Sequence, residues 1–118
     1  MPQIPDGSST LVAITRDGMG DGEPELSQKL LATWLTLVEQ NDQLPGALCF
    51  YTRGVFLVTV GSPVLDLLRS FESKGVHLIV CSTCLKYFDL EDKVEVGIVG
   101  GMTDIIAAQW KAAKVITL

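Results

Sequence analysis

Val76-His77-Leu78-Ile79-Val80-Cys81-Ser82-Thr83-Cys84-Leu85 is the stretch that decides the reading of this chain. A β-branched, apolar run ends in two cysteines three residues apart, and the residues after them suit a helix. A short apolar run of this length reads as a strand covered on both faces. The Cys-x-x-Cys therefore falls at a strand-to-helix turn, where reactive side chains are held at the end of a sheet.

Working outward, the same pattern recurs on both sides. Thr10-Leu11-Val12-Ala13-Ile14-Thr15 and Ala47-Leu48-Cys49-Phe50-Tyr51 read as buried strands, and Val94-Glu95-Val96 and Lys114 to Leu118 as shorter ones. Between them lie helical segments. Pro24 to Gln40 opens with Pro at its first turn and repeats Leu26, Leu30, Trp34, Leu37 and Val38. Ser62-Pro63 caps a helix running to Lys74, with Gly75 just past its end. A short helix spans Thr83 to about Leu90, and Met102 to Ala113 carries Ile105, Ile106, Ala108 and Trp110. Val55 to Val60 fits either a helical turn or an extended link. Trp34 and Trp110 are expected to fill helix–sheet interfaces, or an oligomer interface if exposed.

Strands alternating with helices over short connections predict an α/β fold: one parallel sheet of five strands between two helix layers. Met1 to Ser9, rich in Pro, Gly and Ser, reads as a flexible arm, and residues 10–118 as a single domain. In such open sheets sites form where the strands end. The loops there are Arg16 to Gly22, Thr52 to Gly54, Cys81 to Cys84, and Gly97 to Gly101.

Composition narrows the function classes. The chain has 118 residues, 47% of them hydrophobic, enough for one core without disulfides. Its nine basic residues against fourteen acidic ones, with no basic stripe, argue against nucleic acid. No apolar run is long enough to span a bilayer, so no membrane is expected as a partner. The start lacks the charged and apolar regions of a secretory signal, and three cysteines do not make a disulfide framework. A cytoplasmic location follows as the expectation, where thiols stay reduced.

Cys81 and Cys84 are the candidate catalytic residues. A thiolate attacks disulfides, accepts sulfane sulfur and binds metals, and the spacing lets one cysteine attack an adduct on the other. Cys84, in the first helical turn, is expected to have its thiol pKa lowered by the helix N-terminus. The plainer reading is two small residues packed at a junction. Zinc is weak: beyond the pair the chain offers Cys49, expected in the core, and His77, expected to be packed or at an edge. No metal and no cofactor are expected. Arg16, Asp17, Gly18, Met19 and Gly20 form a glycine loop that lacks the lysine and hydroxyl of a phosphate loop. It reads as a binding loop beside the thiols or as a solvated one, and Thr52, Arg53 and Gly54 read the same way. Ser82 and Thr83 lie between the cysteines. Gly100, Gly101 and Met102 offer backbone amides at a helix start, or a tight turn.

The chain resembles the DsrE/DsrF-like family, most closely the DsrE-like domain of the YedF-type proteins of selenium metabolism. The resemblance rests on Gly20-Asp21-Gly22 with Glu25-Leu26, Gly54-Val55, Gly75-Val76, Val80-Cys81-Ser82-Thr83-Cys84-Leu85, Val96-Gly97 and Met102-Thr103-Asp104-Ile105. It implies a three-layer sandwich, homo-oligomers, and a sulfurtransferase-like role in which Cys81 carries a persulfide; Cys84 is read beside it as a resolving or supporting thiol. Ser82 stands where a glycine is usual, and Thr52-Arg53-Gly54 replaces an Asn-Ser-Gly-like turn. The resemblance also implies that the partner is a sulfur- or selenium-carrier protein of TusA type, met in trans. Two other functions stay open: a binding or assembly module with structural cysteines, and a dithiol redox protein.

Overall fold

The computed structural model describes residues 8–118. Its strands are β1 (Thr10–Ile14), β2 (Ala47–Phe50), β3 (His77–Cys81), β4 (Ile98–Gly100) and β5 (Lys114–Thr117). All pair in parallel, in the order β4-β3-β2-β1-β5. The helices are α1 (Pro24–Gln40), α2 (Leu65–Ser73), α3 (Ser82–Tyr87) and α4 (Met102–Lys111), with a 3-10 helix over Thr52–Val58. The expected α/β fold with a five-stranded parallel sheet is what the chain adopts. Residues 1–7 of the expected arm lie outside the described residues.

Strand order fixes the layers. The steps β1→β2, β2→β3 and β3→β4 all move the same way, so right-handed crossovers put α1, α2 and α3 on one face. The return from β4 to β5 crosses the whole sheet and puts α4 on the other. Contacts agree: α1 touches α2, the 3-10 helix touches α2 and α3, and α4 lies on β3 and β4. The core lies mainly under the first three helices, where Ile14, Leu35, Leu48, Phe50, Leu68, Phe71 and Val80 are buried.

Four expectations are corrected. The fourth strand is Ile98–Gly100, not Val94 to Val96. Val94 forms only an isolated antiparallel bridge to Thr59, and Glu95 N–H donates to Val58 O at 2.8 Å. Gly97, at φ +88, then turns the chain into register beside β3, lying against Val80 and Leu78. Second, α2 starts at Leu65, because the Ser62 hydroxyl accepts from Val64 N–H at 3.2 Å in a turn that precedes the helix. Third, the buried stripe of α1 is Ser27, Leu31 and Leu35. Leu26, Leu30 and Leu37 face solvent, because this helix is apolar on two sides and spacing alone does not choose between them. Fourth, Trp110 fills no helix–sheet interface: it is 85% exposed, while Trp34 is half-buried against the core.

Candidate functional site: a thiol pair at the carboxyl ends of the strands

Cys81 is the last residue of β3 and the cap of α3, and Cys84 sits one turn into that helix. This local geometry brings the two sulfurs to 3.1 Å. Neither is in a disulfide, whose sulfurs would lie at about 2.05 Å. The thiols differ in access: Cys81 is 1% exposed, whereas Cys84 is half-buried. Cys49, in β2, is fully buried, as expected for a core residue.

The turn after β2 closes on Cys84. Thr52 N–H donates to Cys84 Sγ at 3.1 Å. That amide is aimed by an unusual backbone: Thr52 has φ +49, a conformation a β-branched residue rarely takes. Its hydroxyl holds the turn down by donating to Thr15 O and to Tyr51 O, the latter at 2.7 Å. Gly54 makes this possible, because a Cβ there would collide with the Ile14 carbonyl oxygen at the end of β1. Three strand ends are thus tied together around one sulfur.

The residue after Thr52, Arg53, lies against an aromatic wall. Its guanidinium lies 4.6 Å from the Phe56 ring centre and 5.8 Å from that of Phe88, and pairs with Asp17 at 3.3 Å. The two rings meet edge to face at 4.8 Å. Asp17 and Arg53, two of the expected binding residues, are therefore brought together across the loops after β1 and β2. Phe56 and Phe88 were not foreseen. The four-residue step from Cys84 to Phe88 was the available signal, since it places both on one side of a helix.

The remaining candidates are less engaged. Gly18 is packed against Ser27, and Met19 N–H donates to Ser27 O at 2.9 Å, so the first loop folds back onto the start of α1. Gly20 is exposed on that loop. Arg16 is exposed and forms no ion pair among the described residues. Ser82 is half-buried and Thr83 exposed. Gly100 lies beside Cys81 across the β3–β4 ladder, and Met102 is exposed. Gly101 N–H donates to Asp104 Oδ2 at 2.9 Å, so the amide in question serves the chain's own helix.

The expected lowering of the Cys84 pKa is also corrected. Burial, and then the hydrogen bond to Cys81, push the Cys84 thiol up, while the Thr52 amide pulls it partly back. A helix of six residues offers little dipole against that desolvation. The Cys49 thiol is pushed up to about 11 by burial, with Cys81 and Cys84 adding to it.

Among the described residues, no three His, Cys, Asp or Glu side chains cluster so as to hold a metal ion. A cleft of 630 Å³ lies elsewhere, at the amino ends of the strands between Thr10, Gly46, His77 and the last turn of α4. It contains no cysteine, and helix C-termini converge on it. The two thiols lie at the opposite end of the sheet, where open α/β sheets place their sites. No helix among the described residues is long and apolar enough to cross a membrane.

Residues 29–118 match the model of the DsrE/DsrF-like family. Two solved structures share the fold. One is a protein of unknown function, MTH1491, from Methanobacterium thermoautotrophicum, with 18% identity, TM-score 0.68, and 92% of this chain and 97% of that one covered. The other is the ychN protein from E. coli, with 19% identity, TM-score 0.64, and 92% and 99% covered. No curated protein matches the sequence.

Proposed function

The chain belongs to the DsrE/DsrF-like family, which is linked to sulfur relay, and from that footing we propose that it is a sulfur carrier of sulfurtransferase type. The observation that carries the reading is the 3.1 Å approach of two unequal thiols, one half-buried and one enclosed. Cys84, the accessible thiol, takes the outer sulfur of a persulfide donor: the donor's S–S bond breaks, a Cys84 S–S bond forms, and the donor leaves as a thiol. Cys81 then takes the same sulfur by attack on it, which frees Cys84 and shelters the adduct from solvent. Each step exchanges one S–S bond for another, so no oxidant or reductant is consumed. Cys81 remains the carrier that the family resemblance implies, and Cys84 becomes its entry and exit. Selenium in place of sulfur, and a TusA-type carrier protein as donor or acceptor in the cytoplasm, are the narrower forms of the proposal.

Intact-mass spectrometry after incubation with a small-molecule persulfide tests it. The wild-type chain should gain the mass of one sulfur, and Cys84→Ser should gain none. An unmodified wild-type chain, or equal loading of Cys84→Ser, would overturn the proposal.

The same short distance favours a second reading. A disulfide on a partner protein could take two electrons and two protons from the pair, leaving Cys81 and Cys84 joined. The spectrum separates the two, because this reaction removes two hydrogens and adds no sulfur.

A further inference from the structure

The 630 Å³ cleft at the amino ends of the strands lies outside the thiol site. Its size is within the range of about 300 to 1,000 Å³ usual for small-molecule sites. The space has a cause in the sequence. A single helix, α4, covers this face of the sheet, and it packs over β3 and β4. Past Ile105, the α4 residues that line the cleft from above include Ala108 and Ala112, whose short side chains leave room over the strands. Below them Leu11, Ala47 and His77 stand in register on neighbouring strands, with Ile79 further along the same face. Ala47 and Ile79 are only half-buried, so an apolar floor is left open.

The charges at the mouth choose the occupant. The chain holds fourteen acidic residues, yet none of the described residues lining the cleft is one of them. Three are basic: Lys74, His77 and Lys111. Lys74 is taken by Glu39 at 3.2 Å. Lys111 and His77 are exposed and form no ion pair among the described residues. The helix ends that converge here oppose an anion less than bare ends would, because several of their carbonyls are already bonded. Gly75 and Val76 N–H donate to Glu72 O and Phe71 O of α2 at 3.1 Å. Gln43 N–H donates to Val38 O of α1 at 3.0 Å, and Ala112 N–H to Ala108 O of α4 at 3.1 Å. One uncommitted ammonium matches one carboxylate, and the open floor suits an apolar body.

We infer that this cleft binds a small monocarboxylate whose remainder is apolar. The carboxylate sits at the mouth beside Lys111 and His77, and the apolar part lies over Ala47 and Ile79, under Ala108. The site is separate from the cysteines and takes no part in sulfur transfer.

NMR titration of the full chain with octanoate, and with octanol as its uncharged counterpart, tests this. Octanoate should bind with a Kd of about 0.1 mM and octanol at least fivefold more weakly. Octanoate should move the amide signals of Ala47, His77 and Ala112 and leave those of Thr52 and Cys84 in place. Lys111→Met keeps the apolar stem and removes the charge at an exposed position. It should weaken octanoate roughly five- to tenfold and leave octanol unchanged. His77→Ala should weaken octanoate roughly threefold. No binding of octanoate, shifts centred on the cysteines, or an affinity that Lys111→Met leaves unchanged would each overturn the inference. So would contacts from Ile4 to Ala47 that octanoate fails to displace, because residues 1–7 would then be the occupant.

Discussion

Two backbone amides at the same end of the sheet make an instructive pair. Thr52 N–H, after β2, donates to the sulfur of Cys84. Gly101 N–H, after β4, donates to Asp104 of its own helix. From the sequence both turns read alike, as glycine-containing loops beside the cysteines. The difference is what each amide is committed to: one is bonded to a cysteine sulfur, and the other completes a helix cap. A site forms where local structure leaves a polar group for chemistry, and glycine content alone does not say where that is.

The comparison is open to five measurements, with the largest expected effect first. Gly54→Ala drives a methyl into the Ile14 carbonyl and should cost about 3 kcal/mol in denaturant unfolding. Gly101→Ala meets open space and should cost under about 1 kcal/mol, as an N-cap change. Equal losses would break the contrast between the two turns. Thr52→Ala removes the hydroxyl bonds to Thr15 and Tyr51 and should cost about 1 to 2 kcal/mol, while also changing the alkylation rate of Cys84. Asp104→Ala should cost about 1 kcal/mol and leave Cys84 alkylation untouched, since its bond is internal to α4.

The fifth measurement is a pH profile of Cys84 alkylation. The folded pKa is raised, so less thiolate is present near neutrality than in a free cysteine. The rate should climb to an inflection above the ordinary thiol value of about 8.5. The same sign applies to stability: the contribution from a protonated Cys84 is complete below the unfolded pKa and is lost as pH rises through the folded one. An inflection at or below the free-cysteine value would mean that the Thr52 amide outweighs burial.

Much of the fold was legible because its signals are local. Apolar runs such as Leu11 to Ile14 and Leu48 to Phe50 can only be covered strands, and their alternation with helices leaves few topologies. The fourth strand was missed because Val94-Glu95-Val96 imitates strand alternation, whereas Ile98-Val99-Gly100 lies exposed at an edge. The buried face of α1 was missed because that helix is apolar on two sides, and only its partners choose between them. At the site, the spacing of Cys81 and Cys84 was visible. The rest depends on residues far apart in the chain: the amide of Thr52, 32 positions from Cys84, and the Arg53–Asp17 pair. The raised Cys84 pKa has the same origin, because burial is a property of the assembled fold.

The central claim is that sulfur enters at Cys84 and passes to Cys81. Peptide mapping of the loaded chain, quenched by alkylation at successive times after a single addition of persulfide, tests it most directly. The account predicts the extra sulfur on Cys84 at the earliest times and on Cys81 later, with Cys81→Ser holding it on Cys84 throughout. Sulfur found first on Cys81, or on Cys81 in a chain carrying Cys84→Ser, would contradict it.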